Sequence, residues 1–441
     1  MLKKVIRYAG VILPFLYKYL FDKLYIDVIS VRYSYFGSYL DFNCTKNAIS
    51  WIMLILITVL LLFLKEGKLK SFYRIMLYFS IVPSLSLYGL KNENGTAFAL
   101  IMLYWLIMWL GIFFLQRAGK EAHIEGRGNF IPDCEKKYIW FLFFFALSST
   151  LYFWVRYGGF RFFIGFADVY SYRNLDVSMS SIERYVLLWN TNLFIPVCMY
   201  IFFMQKKYVR FGITFLLMDL SYAMFGNKIM FFLAFSVLGI CILSRLGLEK
   251  LTDLLIGIFI LFYQLLCMFI PKGFVAGIEH RLLIVPSEAH YYYYDFFQDH
   301  ELLFLRQSFL RHFLPDPYDK PVSMLIGSST KYYYTAKPDD FGNMNNGLFS
   351  DAYQNFGIFG VIIFPIIIVL ILNILFKALN RYDQGLQFVI LLISALFLMS
   401  SYCFTWLLSG GVILILVALR YIKKYDKRNK VIRIRFVRRS K

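Results

Sequence analysis

Apolar runs of bilayer-crossing length recur from one end of this chain to the other. They lie at roughly residues 5–21, 48–64, 72–90, 96–115, 138–157, 184–204, 210–225, 228–245, 253–270, 354–376, 386–402 and 404–420. A helix needs about 20 apolar residues to cross the hydrocarbon core of a membrane, so these runs predict an all-α polytopic membrane protein with about 12 transmembrane helices. Composition closes the other routes. The 441 residues are 59% hydrophobic and 17% charged, whereas soluble domains hold about 45–50% and about 25%. A soluble enzyme of this composition would expose too much apolar surface, and a disordered chain would have far less of it. Pro14 and Lys18 interrupt the first run. No small-residue cleavage site follows it, so it is counted as a span and not as a signal peptide.

The net charge is +20, from 47 basic and 27 acidic residues. On a soluble chain that excess would point to nucleic acid. On a membrane chain the side it occupies comes first. With both termini placed in the cytoplasm and the runs alternating, about 30 of the 47 basic and about 9 of the 27 acidic residues fall inside. That is the asymmetry of the positive-inside rule, so the excess is mostly topology and no nucleic-acid partner is expected. Four parts follow. Residues 1–270 hold spans one to nine with an external loop at 158–183, and residues 271–353 form a large external loop. Residues 354–420 hold the last three spans, and 421–441 are a basic cytoplasmic tail suited to anionic membrane lipids. A further external loop covers 22–47. The six cysteines are scattered without a C-x-x-C pair, so neither a zinc site nor a disulfide framework is expected.

A loop as long as 271–353 is uncommon unless it is functional or disordered. This one is rich in Tyr and Phe, so a folded cap carrying short helices is expected at the outer face. Over 301–314, Leu302, Leu303, Leu305, Phe309, Leu310 and Phe313 interleave with Arg306, Arg311 and His312, a pattern that predicts an amphipathic interfacial helix. No internal repeat stands out. Walker-type phosphate loops, dinucleotide-binding glycine patterns, His-Glu-x-x-His and Gly-x-Ser-x-Gly are all absent. Asn43 and Asn94 each head an N-x-T triplet, a weak pattern by itself.

The external charges that run against the sidedness trend are arginines among aromatics. Arg173 closes Phe166-Ala167-Asp168-Val169-Tyr170-Ser171-Tyr172-Arg173, and Arg281 opens Arg281-Leu282-Leu283-Ile284-Val285-Pro286. Arg306 and Arg311 lie further along, and Lys228 follows Gly226-Asn227 at the same face. A planar guanidinium grips phosphate through paired hydrogen bonds, and aromatics hold an element at headgroup level. Together they describe a site for an anionic lipid head. The stretch 339–355 concentrates amides and carboxylates, among them Asn345, Asn346, Asp351 and Asn355, after the run Tyr332-Tyr333-Tyr334. Such residues suit a sugar site, where each hydroxyl needs a partner once water is excluded.

The patch Asn346-Gly347-Leu348-Phe349-Ser350-Asp351-Ala352-Tyr353-Gln354-Asn355-Phe356-Gly357, running into an apolar span, resembles the Wzy-type O-antigen (oligosaccharide repeat-unit) polymerases. The patches 166–173, 226–228 and 281–286 fit the same family, as does the topology; Arg311 with Gly327 matches an Arg-to-Gly pattern in the family's large outer loop. The resemblance implies a GT-C-like, inverting, metal-independent glycosyltransferase with no cofactor. It would transfer the growing glycan from undecaprenyl pyrophosphate onto a new lipid-linked repeat unit. The setting it implies is the periplasmic face of a bacterial inner membrane, with flippase and chain-length regulator proteins as partners. Arg173, Arg281, Arg311 and Lys228 would hold the leaving pyrophosphate, whose charge grows in the transition state. His290, His312 and Asp351 are the candidates for the base that takes the acceptor proton. Asp168, Tyr172, Tyr333, Asn345, Asn346 and Asn355 would contact sugar. An O-antigen ligase would use the same chemistry with another acceptor. A lipid-linked oligosaccharide flippase would need charged residues inside the spans, and Asp219 is the clearest of the few there.

Overall fold

The computed structural model describes residues 2–120, 137–162, 179–226, 228–248, 251–270, 273–308, 310, 311, 313–327 and 344–418. Among them there is no β-strand. Among the described residues seven helices are long and apolar enough to cross a membrane, and three shorter apolar helices, Met230–Arg245, Gln384–Ser400 and Cys403–Ala418, accompany them. The chain is thus an α-helical protein with the character of a polytopic membrane protein. In chain order the helices are α1 (2–32), α2 (Cys44–Leu62), α3 (68–90), α4 (Gly95–Arg117), α5 (Lys137–Arg156), α6 (Ser181–Met204) and α7 (Tyr208–Phe225). They continue with α8 (Lys228–Arg245), α9 (Thr252–Phe269), α10 (273–299), α11 (Val322–Gly327), α12 (Phe349–Leu379), α13 (Gln384–Ser400) and α14 (Cys403–Ala418). The long α12 lies along α4, α2 along α3 and α1 along α9, while α5 to α8 pack mainly on one another. Several starts are capped by side chains. Asn43 accepts from Lys46 N, Asn94 from Thr96 N, and Ser180 and Glu183 form a reciprocal capping box on α6. Both N-x-T asparagines therefore serve as helix caps.

Three prolines share one local solution. Pro83, Pro196 and Pro286 each follow a five-residue π-helical turn: Leu77–Ile81, Asn190–Phe194 and His280–Ile284. A proline inside a helix lacks an N–H, and its ring crowds the carbonyl four residues back. Widening the turn before it relieves the clash without breaking the helix. In each case the residue before the proline (Val82, Ile195, Val285) donates its N–H five residues back. All three are β-branched. Pro14 and Pro365 follow Leu13 and Phe364 and have no π-turn before them, and a further π-turn in α1, Tyr25–Ile29, has no proline after it. The widened turn frees a carbonyl. Val82 N is spent on Leu77 O and Pro83 has no N–H, so Tyr78 O takes the Tyr17 hydroxyl at 2.7 Å instead.

The segment 271–353, expected as an outer cap with short helices, opens with the continuous α10. Its side chains from Leu283 to Tyr294 are buried apart from the half-buried Pro286. The run Tyr291-Tyr292-Tyr293-Tyr294 shows why. A helix turns about 100° per residue, so four consecutive tyrosines point four ways. Tyr291 donates to Ser84 O of α3 at 2.8 Å and Tyr293 to Met344 O at 3.0 Å. Tyr292 accepts from Lys91 at 2.8 Å, and the Tyr294 ring meets Tyr353 with centroids 5.1 Å apart. Protein surrounds the stretch 283–294 of α10 on all sides.

The amphipathic helix expected at 301–314 is not formed; its described residues make a series of turns, with Phe304 and Leu305 at positive φ. The backbone donors that a helix would use internally go elsewhere. Leu303 N bonds Gln354 O at 2.8 Å, Phe304 N bonds Asn355 O at 3.2 Å, and Leu305 N bonds Asn355 Oδ1 at 2.8 Å. Those acceptors exist because α12 breaks just after them. Phe356 leaves helical geometry and Gly357 takes φ 55°, so a short helix 349–355 folds against the long remainder. Gly360 closes the corner, where any Cβ would collide with the Ala352 carbonyl.

Candidate functional site

Buried polar groups are expensive in an apolar bundle unless they are paired. The largest set gathers where the end of α3 meets the loop 33–43 and α10. Ser38 Oγ donates to Glu288 Oε1 at 2.9 Å and lies 2.9 Å from His280 Nε2. A hydroxyl has one proton to give, so His280 Nε2–H is the donor in the second bond. Lys91 Nζ reaches Glu288 Oε1 at 3.1 Å, the Tyr292 hydroxyl at 2.8 Å and Glu93 Oε1 at 3.4 Å. The Lys91 and Glu288 side chains have no solvent exposure. Tyr33 stacks on His280 at 4.4 Å with rings 8° from parallel. Burial pushes the His280 imidazole down to about 3, and the positive charges of Arg281 and Lys91 push the same way, so the ring is neutral.

Arg281, next to His280, is exposed, with its guanidinium 5.3 Å from the centre of the Phe36 ring. Arg306 differs: it is spent on the carbonyls of Leu302 and Leu303 and on Glu301 Oε1. Arg311 is exposed in the turns that follow.

A second cluster joins α10 to the short helix 349–355. His290 Nδ1 lies 2.7 Å from Ser350 Oγ, and Nε2 lies 3.1 Å from Ser80 Oγ of α3. Burial alone pushes this histidine down to about 3. In the third cluster Asp351 bridges two helix breaks. Its Oδ2 accepts from Cys403 N at 2.7 Å, capping α14 where the chain leaves α13. Its Oδ1 accepts from Asn355 at 2.9 Å and Gln354 at 3.2 Å. Asn355 also donates to Asp351 O at 2.8 Å. Asn346 is buried and Asn345 exposed. Buried atoms with no partner among the described residues include Glu288 Oε2, Gln354 Oε1, Asn346 Nδ2 and Tyr104 OH. These are the kind of groups a bound polar ligand or water satisfies.

The structure therefore brings His290 next to Ser350, one residue from Asp351, and puts Arg281 on the same helix as His290. Nine residues of helix separate those two, about 14 Å along the axis, so they do not share a contact. Asp168, Tyr172, Arg173, His312 and Tyr333 lie outside the described residues, and Lys228 is described only as the start of α8. Sequence reasoning passed over Ser38, Lys91, Glu93, Glu288 and Ser80. One signal was present: Ile-Val-Pro-Ser occurs twice, at 81–84 and 284–287, and the first two of these clusters sit around those tetrads. Among the described residues no group of three His, Cys, Asp or Glu stands ready to hold a metal ion. Comparison with known proteins finds no matching family model, no matching curated protein and no matching solved structure.

Proposed function

We propose that this chain is a membrane glycosyltransferase of the repeat-unit polymerase type. It would cross the membrane about twelve times in a GT-C-like arrangement, with both termini in the cytoplasm of a bacterial cell. At the outer face of the inner membrane it would move a growing glycan from a lipid pyrophosphate onto the next lipid-linked unit. The observation that carries the reading is Arg281. It is an exposed guanidinium backed by an aromatic ring, set beside a buried ionic cluster in a chain otherwise built for lipid. A guanidinium in that position suits a pyrophosphate leaving group, and its attraction rises as the bond to the sugar breaks. His290, hydrogen-bonded to Ser350, and Asp351, bonded to Asn355 and Gln354, are the described candidates for the group that takes a proton from an acceptor hydroxyl. Arg173 and Arg311 would complete the phosphate site, and Asn345 would face the sugar.

Deletion in a strain that makes a polymeric surface polysaccharide tests the reaction class. Loss of a polymerase leaves a single repeat unit on the final acceptor, and that is the expected result. Polymer accumulating on the lipid carrier would indicate a ligase. One observation favours a flippase as the second reading: Asp219 lies within the span of α7 and is half-buried, and an intramembrane carboxylate of this kind marks many transport paths. Units trapped at the inner face would decide for that reading.

A further inference from the structure

Around Lys91 the charges do not balance. Its ammonium lies 3.1 Å from one carboxylate oxygen of Glu288 and 3.4 Å from one of Glu93. One cation thus faces two carboxylates, and the side chains are 0%, 0% and 11% exposed for Lys91, Glu288 and Glu93. The other oxygen of Glu288 is buried and has no partner among the described residues. An uncompensated charge in such a place costs several kcal/mol, and carboxylates that crowd one another resolve the cost by keeping a proton.

Among the described residues the surroundings do not supply the missing positive charge from within. On α10, His280 is neutral, Tyr292 is a hydroxyl accepting from Lys91, and Asp295 adds negative charge near Glu93. From α1 and the loop after it come Tyr25, whose hydroxyl is taken by Tyr39 O, and Asp41, which accepts from Asn92. Lys46, at the start of α2, spends its ammonium on the carbonyls of Asn92 and Glu93. Arg281 is exposed and so largely screened by solvent. Burial, together with the negative charges of Glu288 and Asp295, holds the Glu93 carboxyl above its ordinary range in spite of Lys91.

We propose that Lys91, Glu93 and Glu288 form a proton-binding site at the junction of α3, the loop 33–43 and α10, with one proton held on Glu93 at neutral pH. Glu93 is the member that reaches solvent, and through it the proton exchanges with the aqueous phase at that end of the bundle. The site goes beyond the glycosyl-transfer reading and does not depend on it. Losing the proton leaves a net negative charge next to His280 and Arg281.

Infrared difference spectra of the full chain in lipid nanodiscs test this through the carbonyl band of a protonated carboxylic acid. The wild type should show the band at neutral pH and lose it on alkaline titration. Glu93→Gln leaves one cation and one carboxylate, so no proton is needed and the band should vanish. Glu288→Gln should remove the same band, and the double variant should remove no more than either single one. A carbonyl band of equal intensity in the wild type and in Glu93→Gln at neutral pH overturns the proposal, and this conservative variant at the edge of the cluster decides alone if Glu288→Gln fails to fold. A wild-type band that appears only after sodium and potassium are withdrawn also overturns it, in favour of a bound cation.

Discussion

The tetrad Ile-Val-Pro-Ser occurs at 81–84 in α3 and at 284–287 in α10, and the π-turns that precede the two copies pack against each other. Backbone conformation is the same at both. The proline removes a donor, the β-branched residue before it sends its N–H five residues back, and the helix widens by one turn. What differs is the content of the turn. Leu77-Tyr78-Phe79-Ser80 is neutral, and the carbonyl it frees is answered by a tyrosine hydroxyl. His280-Arg281-Leu282-Leu283 carries an imidazole tied through Ser38 to the ionic cluster and a guanidinium turned to the outside. One local rule sets the backbone of both. The residues inside the turn decide whether it is packing or a place for chemistry.

The comparison breaks most visibly at the ions. Lys91→Met leaves Glu288 buried with no cation, a change expected to cost about 3–5 kcal/mol in reversible unfolding from mixed micelles. A loss below about 1 kcal/mol would mean that the pair is not desolvated. Acid comes next. His280 and His290 are held near 3, well below the usual value of about 6.5. Between those limits the unfolded chain binds protons that the folded chain refuses. Stability should therefore be unaffected by these groups above pH 6.5 and fall as pH drops towards 3, by about 1.4 kcal/mol per pH unit for each histidine. His290→Gln should remove one proton's share of that slope; an unchanged slope would show that the ring is already charged.

Smaller effects probe the turns themselves. Tyr17→Phe leaves the freed Tyr78 carbonyl without its donor and should cost about 1–3 kcal/mol. Smallest of all, Pro83→Ala and Pro286→Ala should each lose about 0.4–1 kcal/mol through the freedom restored to the unfolded chain. Opposite signs for the two would end the claim that one rule governs both.

The helical, membrane-adapted character of the fold was legible in the sequence because apolar runs of span length have few alternatives. The burial of α10 was not. Its composition is mixed, and its tyrosines are buried only because partners from α3, the loop 33–43 and residue 344 surround it. The 301–314 stretch has the spacing of an amphipathic helix, yet its amides are captured by a helix end some fifty residues later. The ionic cluster was hidden for the same reason: Ser38 and Glu288 are 250 positions apart, and Lys91 and Glu288 are 197 apart. Lys18, which interrupts the first apolar run of the sequence, is buried against Asp22 at 2.8 Å and Ser86 at 3.2 Å. Arg281 was legible because an external arginine among aromatics is conspicuous. The Phe36 ring behind it, from another loop, was not.

The most direct test of the account is Arg281→Ala with the protein shown by quantitative blotting to remain in the membrane. Because the side chain is exposed and its described contact is with the Phe36 ring, its removal should lower thermal stability only slightly. Chain growth should fall by about 10²-fold or more, the usual cost of removing one group that stabilises a developing anion, leaving glycans of a single repeat unit. Polymer of normal length in that variant would contradict the assignment of Arg281 to the leaving pyrophosphate.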